Sequence, residues 1–284
     1  MEQQLDIRHE YLDKGYIVLK SFYDKKKIRD IRTLIIDLAN KDNEIFNNLI
    51  VQDLLLNKEL ITKIKTLLKT NELLYYSDSS ILNKENPFNS KNGFHNDARY
   101  EDESIYYSKE YPILRLGLYF EDYKNHSGGL KIKENSHNYF CFNFRAIRQN
   151  IKQILKIFFT KTRYDLKNLK LGKSINLELE EGDIVIWNLR THHCGVSRRL
   201  KLFKKLCLQP YFEKLIPKFL FLPTQYSKNR CSIFCTFAKN DLLNKNIYNY
   251  VKNKINHKRI NEINSNPDLM AKLKDLGLII PKFS

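Results

Sequence analysis

The chain has 284 residues, 42% of them hydrophobic, enough for one β-sandwich or barrel domain with helical additions and a sizeable core. No run approaches the ~18 apolar residues of a membrane span, and the opening MEQQLDIRHEYL is polar and charged rather than signal-like, so a cytoplasmic protein is expected. The net charge of +17 would attract nucleic acid, anionic lipid or an acidic small substrate, but most of the excess is lysine scattered along the chain. Five cysteines (Cys141, Cys194, Cys207, Cys231 and Cys235) show no CxxC spacing and read as free thiols in a reducing compartment.

Residues 2–14 read as a short helix closed by Lys14-Gly15, and Tyr16–Leu19 as a strand. Over 23–40, Ile28, Ile31, Leu34, Ile35 and Leu38 recur at helical spacing, which predicts an amphipathic helix. Residues 50–68 read as one or two more helices. The character then changes. Tyr111–Phe120 (YPILRLGLYF) is strand-like with a proline at its entrance. Gly128-Gly129 marks a turn, and Leu130–Lys133 alternates. Residues 143–160 return to helical spacing. Leu177–Trp187 reads as strand, tight turn at Glu181-Gly182-Asp183, then strand. Leu206–Phe212 and Cys231–Phe237 are further strand candidates. The apolar stretch Leu215–Pro223 reads as a buried or lid-like loop. From Asp241 the chain is helical again, with Asn240 or Asp241 as caps. This predicts a single domain over 1–284: a helical part to about residue 70, a β core to about 238, and a helical tail.

Histidine is scarce, seven in all, which draws attention to two places. In Gly93-Phe94-His95-Asn96-Asp97, extended backbone would send His95 and Asp97 to the same side. An imidazole and a carboxylate, completed by a second histidine, form the facial triad suited to non-haem Fe(II). The second place is Gly182-Asp183-Ile184-Val185-Ile186-Trp187, a turn and apolar strand that deliver the pair His192-His193. On spacing alone this pair reads equally as two polar loop histidines.

Taken together, these elements resemble the phytanoyl-CoA dioxygenase family of iron(II)/2-oxoglutarate oxygenases. Tyr11–Phe22 is similar to the family's opening helix end, glycine and strand; Phe94–Asp97 to its HxD; Gly128–His137 to its glycine, strand and P-G-S-H element; and Gly182–His193 to its G-D, strand and distal histidine. Glu134-Asn135 stand where Pro-Gly is usual. The resemblance implies a mainly β chain with flanking helices, built on a double-stranded β-helix (jelly-roll, cupin-like) core. It implies Fe(II) held by His95, Asp97 and a distal histidine, with 2-oxoglutarate and O2 as cosubstrates. The ten-residue step from Asp183 favours His193 over His192. The family places an arginine for the 2-oxoglutarate carboxylate about a strand's length past the distal histidine; here Lys204-Lys205 occupy that place. Arg230 with Ser232, which share a strand face, is preferred for this role, with Lys204 second. Residues 196–229 would then be an insertion lying over the active-site mouth.

The implied activity is hydroxylation of a small molecule, with an anionic one fitting the basic surface. Related halogenases carry Gly or Ala where this chain has Asp97, so its carboxylate favours hydroxylation. Two rivals stand beside this: a degenerate jelly-roll protein that binds a ligand without turnover, and a basic nucleic-acid-binding module, which no motif supports.

Overall fold

The computed structural model of the protein describes residues 2–39, 45–75, 80–84, 93–98, 110–138, 173–195, 197–208, 210–213, 215–226, 230–240 and 257–280. The expected helix at 143–160 lies outside these residues, as do Cys141 and the region just after Asn240.

Helix α1 (Glu2–Lys14) ends at Gly15, whose φ of +83° turns the chain directly into β1 (Tyr16–Leu19). A Cβ at Gly15 would overlap the His137 ring and the Thr191 hydroxyl, so only glycine lets the strands approach here. Helices α2 (Lys25–Ala39), α3 (Leu49–Leu55) and α4 (Lys58–Leu68) follow. Asn48 and Asn57 cap α3 and α4 by accepting from the first free backbone N–H groups. In α2, Ile28 and Ile35 are buried as the spacing predicts, whereas Leu34 is left 42% exposed.

Strands β2 (Leu73–Tyr75), β3 (Ser80–Lys84), β4 (Ile113–Tyr119), β7 (Ile184–Asn188), β9 (Arg230–Lys239) and β10 (Leu278–Ile279) join β1 in a seven-stranded sheet. Its order is β1-β7-β4-β9-β2-β10, with β3 also on β9. All its pairs are antiparallel except β10 on β2. Strands β5 (Lys131–Lys133), β6 (Ser174–Asn176) and β8 (His193–Cys194) form a second sheet in the order β6-β5-β8. Helices α5 (Pro210–Glu213), α6 (His257–Asn264) and α7 (Pro267–Asp275) complete the described elements, with Asn266 and Pro267 starting α7.

The large sheet is apolar on both faces. Leu116, Leu118, Ile184, Ile186, Ile233 and Cys235 pack outward with Ile28, Ile35, Leu60 and Ile64 of the helices. Alternate residues, Tyr119, Val185 and Trp187, pack inward against Ile132, Leu177 and Leu179, with Phe234 beside them. Gly117 is an inward position too, and the Phe234 and Trp187 rings occupy the space its side chain would take.

Three expectations are corrected. The strand expected over 177–180 forms three residues earlier, at Ser174–Asn176, because Leu177 and Leu179 are used as inward core plugs ahead of the turn. Leu206–Phe212 is loop followed by α5, since Pro210 supplies no ladder N–H and suits a helix start. The alternation of Leu130–Lys133 does not become one buried and one exposed face: β5 is buried on both. Its outer face carries Lys131 and Lys133 under the segment 197–226. Lys131 Nζ bonds the Glu213 carboxylate and donates to Leu208 O at 2.9 Å. Glu213 of that segment is thereby anchored on the outer face of the small sheet, while Gln225 and Tyr226 reach Glu181 and Arg32.

Candidate metal centre

His95 has no strand of its own, but its backbone pairs with β8. His95 N donates to His193 O at 3.0 Å and His193 N to His95 O at 2.8 Å. Directly opposed residues on antiparallel chains point to one side. His193 also opposes Ile132, an inward core residue, so both imidazoles face the space between the sheets. Asp97, two residues on, joins them, its N–H held by Leu189 O at 3.0 Å. The candidate donor atoms of His95, Asp97 and His193 all lie within 4.8 Å of one another.

Each ring is already oriented. His95 Nδ1 lies 3.2 Å from Gly93 O and His193 Nδ1 lies 3.1 Å from Thr191 O. A carbonyl can only accept, so Nδ1 carries a proton, and in the neutral tautomer this leaves Nε2 as the atom able to bind a metal. Those Nε2 atoms face Asp97, at 3.8 Å from Oδ1 for His95 and 3.5 Å from Oδ2 for His193. Burial lowers the pKa of His193; Asp97 opposes this and His95 adds to it. The neutral ring is thereby favoured.

The neighbouring motif residues hold this frame. Asp183 is buried and bonds Lys20 Nζ at 2.7 Å, Ser21 N at 2.8 Å and Glu180 N at 2.8 Å, locking the turn that launches β7 to the end of β1. Thr191 Oγ1 donates to Gly15 O at 2.8 Å, and Ser136 Oγ accepts His192 N at 2.8 Å. His137 Nε2 sits 2.9 Å from Leu12 O and so belongs to the α1 junction. Asn135, where the family pattern has glycine, adopts φ +60°, a conformation asparagine tolerates better than most residues. His192 is turned elsewhere: its Nε2 is 3.1 Å from Asn96 Nδ2.

Arg230 and Ser232 begin β9. Arg230 donates through Nη1 to Gly128 O at 2.8 Å and to Gly195 O, two residues past His193. Ser232 Oγ and Trp187 Nε1 are both buried without a hydrogen-bond partner among the described residues. Trp187 lies with its ring centroid 5.4 Å from that of His193. Lys204 is exposed in the outer segment, where its carbonyl accepts from Arg199 Nη2 at 3.3 Å. One residue escaped the sequence reading. Arg115, on the inner face of β4, brings Nη1 to 3.8 Å from Asp97 Oδ2 and its guanidinium 5.5 Å over Phe234. The signal was available as a lone charge in the otherwise apolar strand YPILRLGLYF.

Three solved structures share the fold. The non-haem α-ketoglutarate-dependent epimerase SnoN from nogalamycin biosynthesis matches with a TM-score of 0.52 at 13% identity, over 84% of this chain and 81% of that one. HygX from Streptomyces hygroscopicus, solved with nickel and 2-oxoglutarate bound, gives 0.51 at 12%, over 84% and 87%. The carbocyclase SnoK, also from nogalamycin biosynthesis, gives 0.50 at 12%, over 83% and 84%. The protein thus has the fold of the cupin-like, non-haem iron and 2-oxoglutarate-dependent enzymes. No protein-family model matches the chain. No curated protein matches it.

Proposed function

We propose that the protein is a mononuclear Fe(II)/2-oxoglutarate-dependent oxygenase of the phytanoyl-CoA dioxygenase type that hydroxylates a small molecule. The observation that carries this reading is the convergence of His95, Asp97 and His193, from two separate segments, on one point between the sheets. Two imidazoles and one carboxylate suit Fe(II) with open positions left for ligands. The strand order supports a double-stranded β-helix. The large sheet holds β3, β9, β4 and β7, the small one β6, β5 and β8 with His95 alongside, and successive strands from β3 alternate between them except for β5 and β6, which pair with each other in the small sheet.

His95 and His193 would bind the metal through Nε2 and Asp97 through one carboxylate oxygen. When bound, iron with 2-oxoglutarate and dioxygen supplies oxidative decarboxylation coupled to oxidation of an unactivated C–H bond. Arg115 offers the carboxylate of Asp97 a neighbouring cation at 3.8 Å. Arg230 and Ser232 would receive the distal carboxylate of 2-oxoglutarate: the described bonds of Arg230 use Nη1 alone, and the orphaned Ser232 hydroxyl has a proton to donate. Trp187, packed against His193 and Phe234, would help to limit water at the site.

The test is anaerobic titration with Fe(II) and 2-oxoglutarate, following the visible charge-transfer band of the chelate. The band should appear in the wild type and vanish in His193→Ala. A second reading, a ligand-binding jelly-roll without turnover, draws on the tie of Arg230 to two main-chain carbonyls. It predicts iron binding with no band.

A further inference from the structure

The segment between β8 and β9 buries Arg198, Arg199 and Glu213 while leaving several large apolar side chains exposed. Its anchors are internal. Glu213 is buried on Lys131, Arg198 Nη1 donates to Glu213 O at 3.3 Å, and Arg199 reaches Tyr123 O at 2.7 Å and Glu178 at 2.8 Å. Facing solvent are Leu202 (83% exposed), Phe203 (64%), Leu215 (66%) and Phe219 (71%), with Leu206 and Leu220 beside them. Leu200 bridges Phe221 and Lys201 N donates to Leu220 O at 2.9 Å, so Leu202 and Phe203 share one end of a hairpin with Phe219 and Leu220. The charges interspersed with these side chains are all positive: Lys201, Lys204, Lys205 and Lys218 are exposed. The single acidic residue from 200 to 226, Glu213, is neutralised inside.

We propose that this hairpin docks the protein on the surface of a bilayer carrying anionic lipid. Protruding leucine and phenylalanine enter the interfacial region while lysines meet the headgroup phosphates, two contributions that reinforce each other. A second copy is a poorer occupant, because a two-fold contact would set this all-cationic rim against itself. Nucleic acid would match the lysines but leave the apolar tips in water. The inference is independent of the metal chemistry.

Co-sedimentation with phosphatidylcholine vesicles, with and without phosphatidylglycerol, tests it. The wild type should pellet with the anionic vesicles, remain in solution with the neutral ones, and be released by high salt. Leu202→Ser/Phe203→Ser/Phe219→Ser should weaken partitioning at least about 10-fold with an unchanged thermal midpoint, since all three side chains are exposed. Lys201→Glu/Lys205→Glu should weaken it more than Lys26→Glu/Lys58→Glu, which changes net charge equally on the helical side. Three results overturn the proposal: no binding to anionic vesicles, binding that the serine variant leaves intact, or equal loss in the two glutamate variants. A concentration-dependent dimer abolished by the serine variant would assign the patch to a second copy instead.

Discussion

Replacing Lys133 by methionine gives a quantitative test of the packing behind the metal centre. Lys133 is buried on the outer face of β5, 4.8 Å over the Phe94 ring, and burial pushes its pKa from 10.5 down to about 8. The charged form is therefore disfavoured in the folded state. Between pH 8 and pH 10.5 the unfolded chain holds a proton that the folded chain has released, so this residue makes stability rise with pH across that window. Below it the full penalty applies, about 3 kcal/mol from the difference of the two values at 1.36 kcal/mol per unit. Methionine keeps the length and apolar packing and carries no proton. Lys133→Met should thus be the more stable protein at pH 7, and its advantage should shrink by about 2.5 kcal/mol on going to pH 10. Burial pushes the nearby Cys207 thiol up to about 12, an opposite slope that both proteins carry. The assay is guanidinium unfolding of both proteins under reducing conditions at several pH values. A stability difference that stays constant from pH 7 to pH 10 would refute the reasoning.

Other outcomes follow from the same structure. His95→Ala and Asp97→Ala should each abolish iron-dependent turnover while moving the thermal midpoint little, because both side chains are partly exposed; full activity in both would remove the triad assignment. Arg230→Ala should raise the 2-oxoglutarate concentration needed for half-maximal activity at least about 10-fold, as loss of a charged bidentate partner does; an unchanged requirement removes Arg230 from this role. Lys131→Met should cost about 3–5 kcal/mol in chemical unfolding by stranding the Glu213 carboxylate, and Lys131→Met/Glu213→Leu should recover most of it. Fe(II) at a hundred times its dissociation constant should stabilise the wild type by about 2.7 kcal/mol, read as a rise in thermal midpoint that His193→Ala lacks.

Much of the site was legible because it is built from short-range rules. His95 and Asp97 share a side since extended backbone alternates, and Asp183 announces β7 because its carboxylate must lock a tight turn. Strands β4, β7 and β9 show as apolar runs, and α2 as a stripe of isoleucines. What escaped depends on distant partners. Strand β10 has two residues and exists only by pairing with β2, some 200 residues earlier. Leu206–Phe212 has strand-like composition, but no edge receives it and Pro210 diverts it into α5. Arg115 acquires a neighbour in Asp97 only through the folding together of distant segments, which set it on the inner face of β4. The pairing of Lys131 with Glu213 was likewise hidden, because the two stand 82 residues apart.

The two main-chain bonds between His95 and His193 have a bearing on how this scaffold can change over time. They fix the spacing of the metal-facing positions through peptide groups that every residue carries except proline. The side chain at either position can therefore drift without the cradle losing its dimensions. Such a frame can be inherited intact while its reaction is exchanged, which is consistent with one architecture serving an epimerase and a carbocyclase.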